Sequence, residues 1–156
     1  MKTTLLVVGK TTDAHIEALT EDYRKRLSHY MSFQLSVIPE LKNAKNLSQE
    51  QQKEAEGKLI LAQTDSSTTL ILLDEHGKEM RSTEFAGYLQ RLMSAGRNVC
   101  FAVGGPYGFS EAVYERADGK LSLSQMTFSH QMVRLFFVEQ LYRGMTILRG
   151  EPYHHE

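Results

Sequence analysis

The sequence predicts one α/β domain, a mostly parallel sheet with helices on both faces. A length of 156 residues suits a single core and is short for two. Short β-branched apolar runs alternate along the chain with longer stretches of helical periodicity, as strands alternating with covering helices require. With only three prolines and no Ser/Gly tract, nothing reads as a linker, so residues 1–156 form one domain. No internal repeat or low-complexity segment competes with that reading.

The elements follow in order. Residues 3–9, TTLLVVG, form a buried strand ended by Gly9. From Asp13 to about Tyr30 the apolar positions Ile16, Leu19, Tyr23 and Leu27 step by three or four, an amphipathic helix. FQLSVIP, 33–39, alternates and stops at Pro39, which suits an edge strand. A polar loop over 40–47 leads to Ser48 and Gln51, spaced as a capping box, and to a helix ending near Gln63. TTLILLD, 68–74, is the third strand, and HGKEM turns into a helix from about Ser82 to Ser94 that Gly96 ends. NVCFAVGG, 98–105, is the fourth strand. A short helix at 110–116 precedes KLSLSQMTFSH, where the fifth strand falls, and a long helix runs from about Ser129 to Leu148.

Composition narrows the function. Lysine plus arginine number 18 against 19 acidic residues, so the chain has no general basic footprint. No DNA partner is expected, and an RNA would have to be met locally, for which YRKRLSHY, 23–30, is a compact basic candidate on a solvated helix face. Cys100 is the lone cysteine, inside an apolar run; it reads as a small buried hydrophobe and fits a reducing cytoplasm. The amino-terminal run is too short for a signal sequence or membrane span, and no membrane association is expected.

In parallel sheets, ligands sit beyond the carboxyl ends of the strands. Three stretches converge there: Leu72 to Asp74, Gly104 to Gly108, and LSLSQMTF after the fifth strand. The glycine stretch is not a P-loop, since Phe109 stands where a lysine is needed. Nor is it a dinucleotide fingerprint, which opens on the first strand with an acidic residue about 20 positions later. Taken alone it is a tight turn. Beside it, however, a loop at 121–128 carries Leu123, Met126 and Phe128, more apolar surface than a solvated loop needs. Apolar faces with free main-chain amides suit a flat heteroaromatic ring, plain core packing being the alternative.

The last helix carries apolar residues on more than one face, so it is either deeply buried or shared with a second subunit. Glu139 and Arg143, four apart, can pair, and Arg134, Tyr153, His154 and His155 can join them if the tail folds back. No metal is expected, because adjacent histidines rarely reach one ion and no His-Glu-x-x-His spacing occurs.

VGGPYGF followed by LSLSQMTFSHQMVRLFFVEQLYRGMTILRGEPYHH resembles the small bacterial SPOUT-class methyltransferases that modify pseudouridine in large-subunit ribosomal RNA. LLVVGK, EDYRKRL and LILLDEHGK extend the resemblance over essentially the whole chain. It implies a carboxyl-terminal deep trefoil knot, a rare exception to unknotted topology, and a homodimer in the cytoplasm. It further implies S-adenosylmethionine as methyl donor and transfer to N3 of a pseudouridine on the assembled ribosome. Carried onto this sequence, the cofactor residues are Leu73, Gly104 and the run Leu123, Ser124, Gln125, Met126, Thr127 and Phe128. Gly104 and Gly105 would let the cofactor lie against main chain.

For catalysis, His154 is the favoured base, with Glu139 a candidate, Arg143 or Arg134 countering charge on the acceptor carbonyls, and Tyr153 stacking on the base. The terminal His155 and Glu156 depart from the basic last residue of the family. A transfer-RNA acceptor, or a ribosome-associated binding module without catalysis, remains as the alternative.

Overall fold

The computed structural model describes residues 1–155; the acidic terminal Glu156 lies outside the described residues. Five strands, β1 (Lys2–Val8), β2 (Ser32–Ile38), β3 (Thr69–Glu79), β4 (Val99–Val103) and β5 (Gly119–Ser122), pair in the order β2-β1-β4-β3-β5. All four pairings are parallel, and β2 takes the edge position that its terminal proline suggests. The helices are α1 (Ala14–Leu27), α2 (Gln49–Ala62), α3 (Ser82–Ala95), α4 (Glu111–Arg116) and α5 (His130–Leu148), with one 3-10 turn at Ala44–Asn46.

Alternation along the strands divides the core in two. Leu5 and Val7, Ile71, and Val99, Phe101 and Val103 face a layer with Leu27, Phe85, Leu89, Phe137 and Leu141, where α5 packs between α1 and α3. Leu6, Leu70, Leu72, Cys100 and Ala102 face the other way, against Ile60 and Val113 of α2 and α4. Phe137 is wholly buried, with its ring 4.7 Å from that of Phe101, and such a side chain contributes roughly 2–3 kcal/mol by leaving water. Burial pushes the Cys100 thiol up to about 12, which leaves it inert at neutral pH.

Local signals hold where they are local. Ser48 and Gln51 exchange both bonds of a capping box at the start of α2. Asp13, Ser110 and Ser129 cap α1, α4 and α5 through their side chains. Gly96 closes α3 with φ 73°.

One expectation is corrected. HGKEM is not the turn after a strand ending at Asp74, because β3 continues to Glu79. Its pairing with β5 shifts register between Leu73 and Lys78, both opposite Leu121, so the intervening residues bulge. A β-carbon on Gly77 would fall 2.6 Å from the Leu121 nitrogen, so this glycine permits strand contact rather than a turn.

The connection from β5 to α5 sets the site. β5 lies at one edge of the sheet, yet α5 begins beside the loop after β1. Gln131 Oε1 accepts from the Thr12 amide at 2.7 Å, and Arg134 donates to the carbonyls of Gly9 and Val8 at 2.8 and 2.9 Å. Residues 123–129 therefore cross the carboxyl ends of β3 and β4.

Candidate functional site

That crossing segment roofs a cleft of about 460 Å³ at the strand ends. Leu73 closes the regular part of β3, Val103 and Gly104 follow β4, and Leu121 to Ser124 follow β5. Met126, Thr127 and Phe128 complete the wall. Eight of the nine expected cofactor residues, Leu73, Gly104, Gly105, Leu123, Ser124, Met126, Thr127 and Phe128, line this one space. Gln125 does not line it. The intervening turn is tied by Ser122, whose hydroxyl donates to the Ser124 carbonyl at 3.0 Å, and by the Met126 amide donating to Ser124 Oγ.

Gly104 and Gly105 both line the cleft, and each also meets protein on the side where a β-carbon would stand. A β-carbon on Gly104 would meet the Gly108 carbonyl carbon at 3.2 Å, and one on Gly105 would meet the Glu56 carboxyl at 2.3 Å. At 105 the place a side chain would take is filled by the Glu56 carboxyl, and at 104 it is crowded by the Gly108 main chain. Gly105 and Gly108 pair as an antiparallel bridge, with the Gly108 amide donating to the Gly105 carbonyl at 3.1 Å. The turn is tight because it folds on itself.

Several cleft residues lay outside the sequence reading. The Tyr114 hydroxyl donates to Asp74 Oδ2, and burial together with that carboxylate raises the phenol's pKa. Desolvation, then the nearby Arg134 charge, lowers the pKa of His130, which opens α5 at the cleft wall. Asp74 and Glu75 put carboxylates on the rim, and among the described residues no lysine or arginine lines the cleft. A histidine directly after an N-cap serine, S-H at 129–130, was the available signal for His130.

A second cavity of about 290 Å³ shares Leu121, Ser122, Leu123 and Phe128 with the first and reaches Glu139 and Gln140. The Phe128 and Phe136 rings stand 5.2 Å apart along its wall.

Beyond it lies the polar cluster. Arg143 donates twice to Glu139 Oε1, from Nε at 3.1 Å and Nη2 at 2.6 Å. The Tyr153 hydroxyl reaches the same oxygen at 2.9 Å and the Tyr23 hydroxyl at 3.1 Å. Arg143 Nη1 stands 3.0 Å from His154 Nδ1. Since arginine only donates, Nδ1 accepts, and the neutral ring then carries its hydrogen on Nε2. Burial opposes the Arg143 charge, but the Glu139 carboxylate outweighs it and raises the guanidinium's pKa. Burial, then the bonds to Tyr23 and Glu139, raise the pKa of Tyr153.

Glu139, Arg143, Tyr153 and His154 are thus brought together, as a folded-back tail predicts. Arg134 is not among them. It is 1% exposed and turned to the loop after β1, where it also donates to Thr11 Oγ1, so it is a clamp rather than a site cation. His155 is exposed.

Residues 1–154 match a family model described as "Predicted SPOUT methyltransferase". The chain belongs to that family. Among SPOUT methyltransferases of known name, it is 58% identical over the full length of both chains to the ribosomal RNA large subunit methyltransferase H of Bacteroides thetaiotaomicron. It is 57% identical, again over both full lengths, to the protein of that name from Flavobacterium johnsoniae. A looser likeness, 10% identical with a TM-score of 0.45, is to the SpoU methyltransferase AviRb of Streptomyces viridochromogenes, solved with AdoMet; it covers 94% of this chain, which spans 60% of that one. The SPOUT chain described here is therefore an α/β methyltransferase, and no helix among its described residues is long and apolar enough to cross a membrane.

Proposed function

We propose that this chain transfers the methyl group of S-adenosylmethionine to N3 of a pseudouridine in large-subunit ribosomal RNA, on the assembled ribosome. It works as a cytoplasmic homodimer, one domain over 1–156, with residues 123–129 and α5 threaded into a trefoil knot. The observation that carries the reading is the cleft itself. Its apolar walls and main-chain edges suit an adenosine, its carboxylate rim suits a cation, and among the described residues it offers no lysine or arginine to a phosphate-bearing nucleotide. The crossing of 123–129 over β3 and β4 supports the knot, and the names of the full-length relatives support the RNA target.

Leu73, Gly104, Gly105, Leu123, Ser124, Met126, Thr127 and Phe128 would hold the cofactor, which supplies an already activated methyl when bound. The chain's own residues then have two tasks. They align the acceptor nitrogen, and they stabilise the charge that develops as its proton leaves. Tyr153 offers a ring face to the base. Arg143, fixed by Glu139, is a donor suited to the acceptor's carbonyl oxygens. Since Arg143 occupies His154 Nδ1, the candidate to take the N3 proton is Glu139, whose Oε2 accepts from Gln140 Nε2 at 3.2 Å and is not bonded by Arg143.

The test is transfer of labelled methyl from the cofactor to intact ribosomes, separated subunits and transfer RNA in parallel. Label in large-subunit RNA of intact ribosomes, at a pseudouridine by mass spectrometry, is the expected result. Label confined to transfer RNA, or none, overturns it.

A further inference from the structure

The glycine turn of the cleft rests on a residue that does not line the cleft. Glu56, in α2, is 4% exposed. Among the described residues its Oε1 has no hydrogen-bond partner, and its Oε2 receives only a long bond from Gln52 Nε2 at 3.4 Å. A buried acceptor without a donor costs about 1–3 kcal/mol, so a carboxyl kept there calls for a reason.

Gly105 supplies one. A β-carbon on it would fall 2.3 Å from Glu56 Oε1 and 2.6 Å from Oε2, so the carboxyl occupies the place of a side chain at 105. The next residue of α2 repeats the fit with the roles exchanged. A β-carbon on Gly57 would fall 2.4 Å from Oγ of Ser110, the cap of α4, which accepts from the Val113 amide. Consecutive residues of one rigid helix thus brace both ends of the 105–110 turn: an acid fills the space under a glycine, and a glycine leaves space for a serine.

We infer that Glu56 is a positioning residue for the methyl-donor cleft, its carboxyl seated beneath Gly105 and holding the glycine turn in the shape that receives the cofactor. The inference rests on the cofactor reading given above. Burial pushes the Glu56 carboxyl above the usual carboxylate range, which favours the neutral acid. A glutamine of the same length preserves the shape of the support, whereas alanine removes it.

The full-length chain and its variants are titrated with S-adenosylhomocysteine by calorimetry, and amide hydrogen exchange of 105–110 is followed without ligand. Glu56→Ala should weaken binding tenfold or more and speed exchange of the turn, while Glu56→Gln stays within threefold of the unaltered chain in both. Gly105→Ala should also weaken binding at least tenfold. Adding Glu56→Ala to it should restore part of the loss, because the new methyl enters the vacated space.

Binding by Glu56→Ala within threefold of the unaltered chain, equal damage from Glu56→Gln, or no restoration in the double variant each overturns the inference. Should Glu56→Ala not fold, Glu56→Asp, which withdraws the carboxyl by one methylene, is read in its place. An unaltered chain that binds no S-adenosylhomocysteine sinks the cofactor reading instead. The exchange measurement, which needs no ligand, then still decides whether Glu56 holds the turn.

Discussion

The cleft at the strand ends and the polar cluster at the end of α5 are made of opposite materials. The cleft is main chain and apolar side chains from three loops, with carboxylates only on its rim. The cluster is side chain to side chain: Glu139 takes two bonds from Arg143 and one from Tyr153, and Arg143 reaches on to His154. Main chain does not titrate and hardly moves, so it suits recognition of a flat, invariant group. Charges on a rigid helix suit stabilisation of a charge that exists only in passage. The two regions also lie apart. From His130 at the cleft to Arg143 are thirteen residues of α5, about 20 Å at helical rise.

The largest expected effect breaks the cleft alone. Gly104→Val places a branched side chain where even a β-carbon stands 3.2 Å from Gly108 main chain. Overpacking of this kind costs about 1–3 kcal/mol, roughly 10- to 100-fold in cofactor affinity by calorimetry. Affinity unchanged from the parent chain would remove the glycine turn from the site. Arg143→Ala breaks the cluster alone. Turnover should fall about 100-fold, as for loss of a preorganised donor, with S-adenosylhomocysteine affinity within threefold. Parallel losses of turnover and affinity would instead mean that the tail only props the fold.

Mixing those two impaired variants, assayed at a cofactor concentration too low to fill the Gly104→Val cleft, sharpens the comparison further. If each active site joins one copy's cleft to the other copy's cluster, a mixed dimer holds one intact site and one doubly broken one. Random exchange of subunits then restores about a quarter of the parent's sites. Recovery indistinguishable from zero, with exchange verified by mass, would place both halves of a site on a single chain.

The same contrast governs what the sequence discloses. The capping box of Ser48 and Gln51, the glycine end of α3 and the alternation of apolar runs are settled by neighbours a few residues away, and they could be read directly. The Glu139–Arg143 pair is one helical turn, equally legible. What stayed hidden depends on contacts across the fold. Gly77 reads as a turn because nothing nearby reveals that Leu121 comes against it. Arg134 reads as a free cation because the carbonyls it clamps, Val8 and Gly9, are more than a hundred residues away. Glu56 has no motif at all, since its partner is the absence of a side chain at Gly105. The three stretches that build the cleft were gathered from the strand pattern and the loop composition; which of their residues meet the cofactor came from a family resemblance that spans the chain.

The smallest expected effect concerns the tail's second tether, one ring removed from the cluster: the Tyr30 ring stands 5.7 Å from that of Tyr142, itself 4.8 Å from that of Tyr153. The Tyr30 hydroxyl donates to Glu151 Oε2 at 2.6 Å, and the Arg149 guanidinium lies 4.6 Å from the ring centre. The bond to the Glu151 carboxylate, then burial, raises the Tyr30 phenol from its ordinary 10 to about 12. Between those values the unfolded chain releases this proton while the folded chain keeps it, so the unfolded state binds fewer protons and stability falls as pH rises. The contribution is complete below pH 10 and gone above about 12. Urea midpoints of the parent chain should therefore exceed those of Tyr30→Phe by a small margin at pH 8 to 9, and the margin should close as the pH is raised through that window. Because the tether precedes Tyr153, the same variant should leave cofactor affinity unchanged while slightly lowering turnover. No margin at pH 8 to 9 would mean that Tyr30 contributes its ring alone and that Glu139 and Arg143 hold the tail without its hydroxyl.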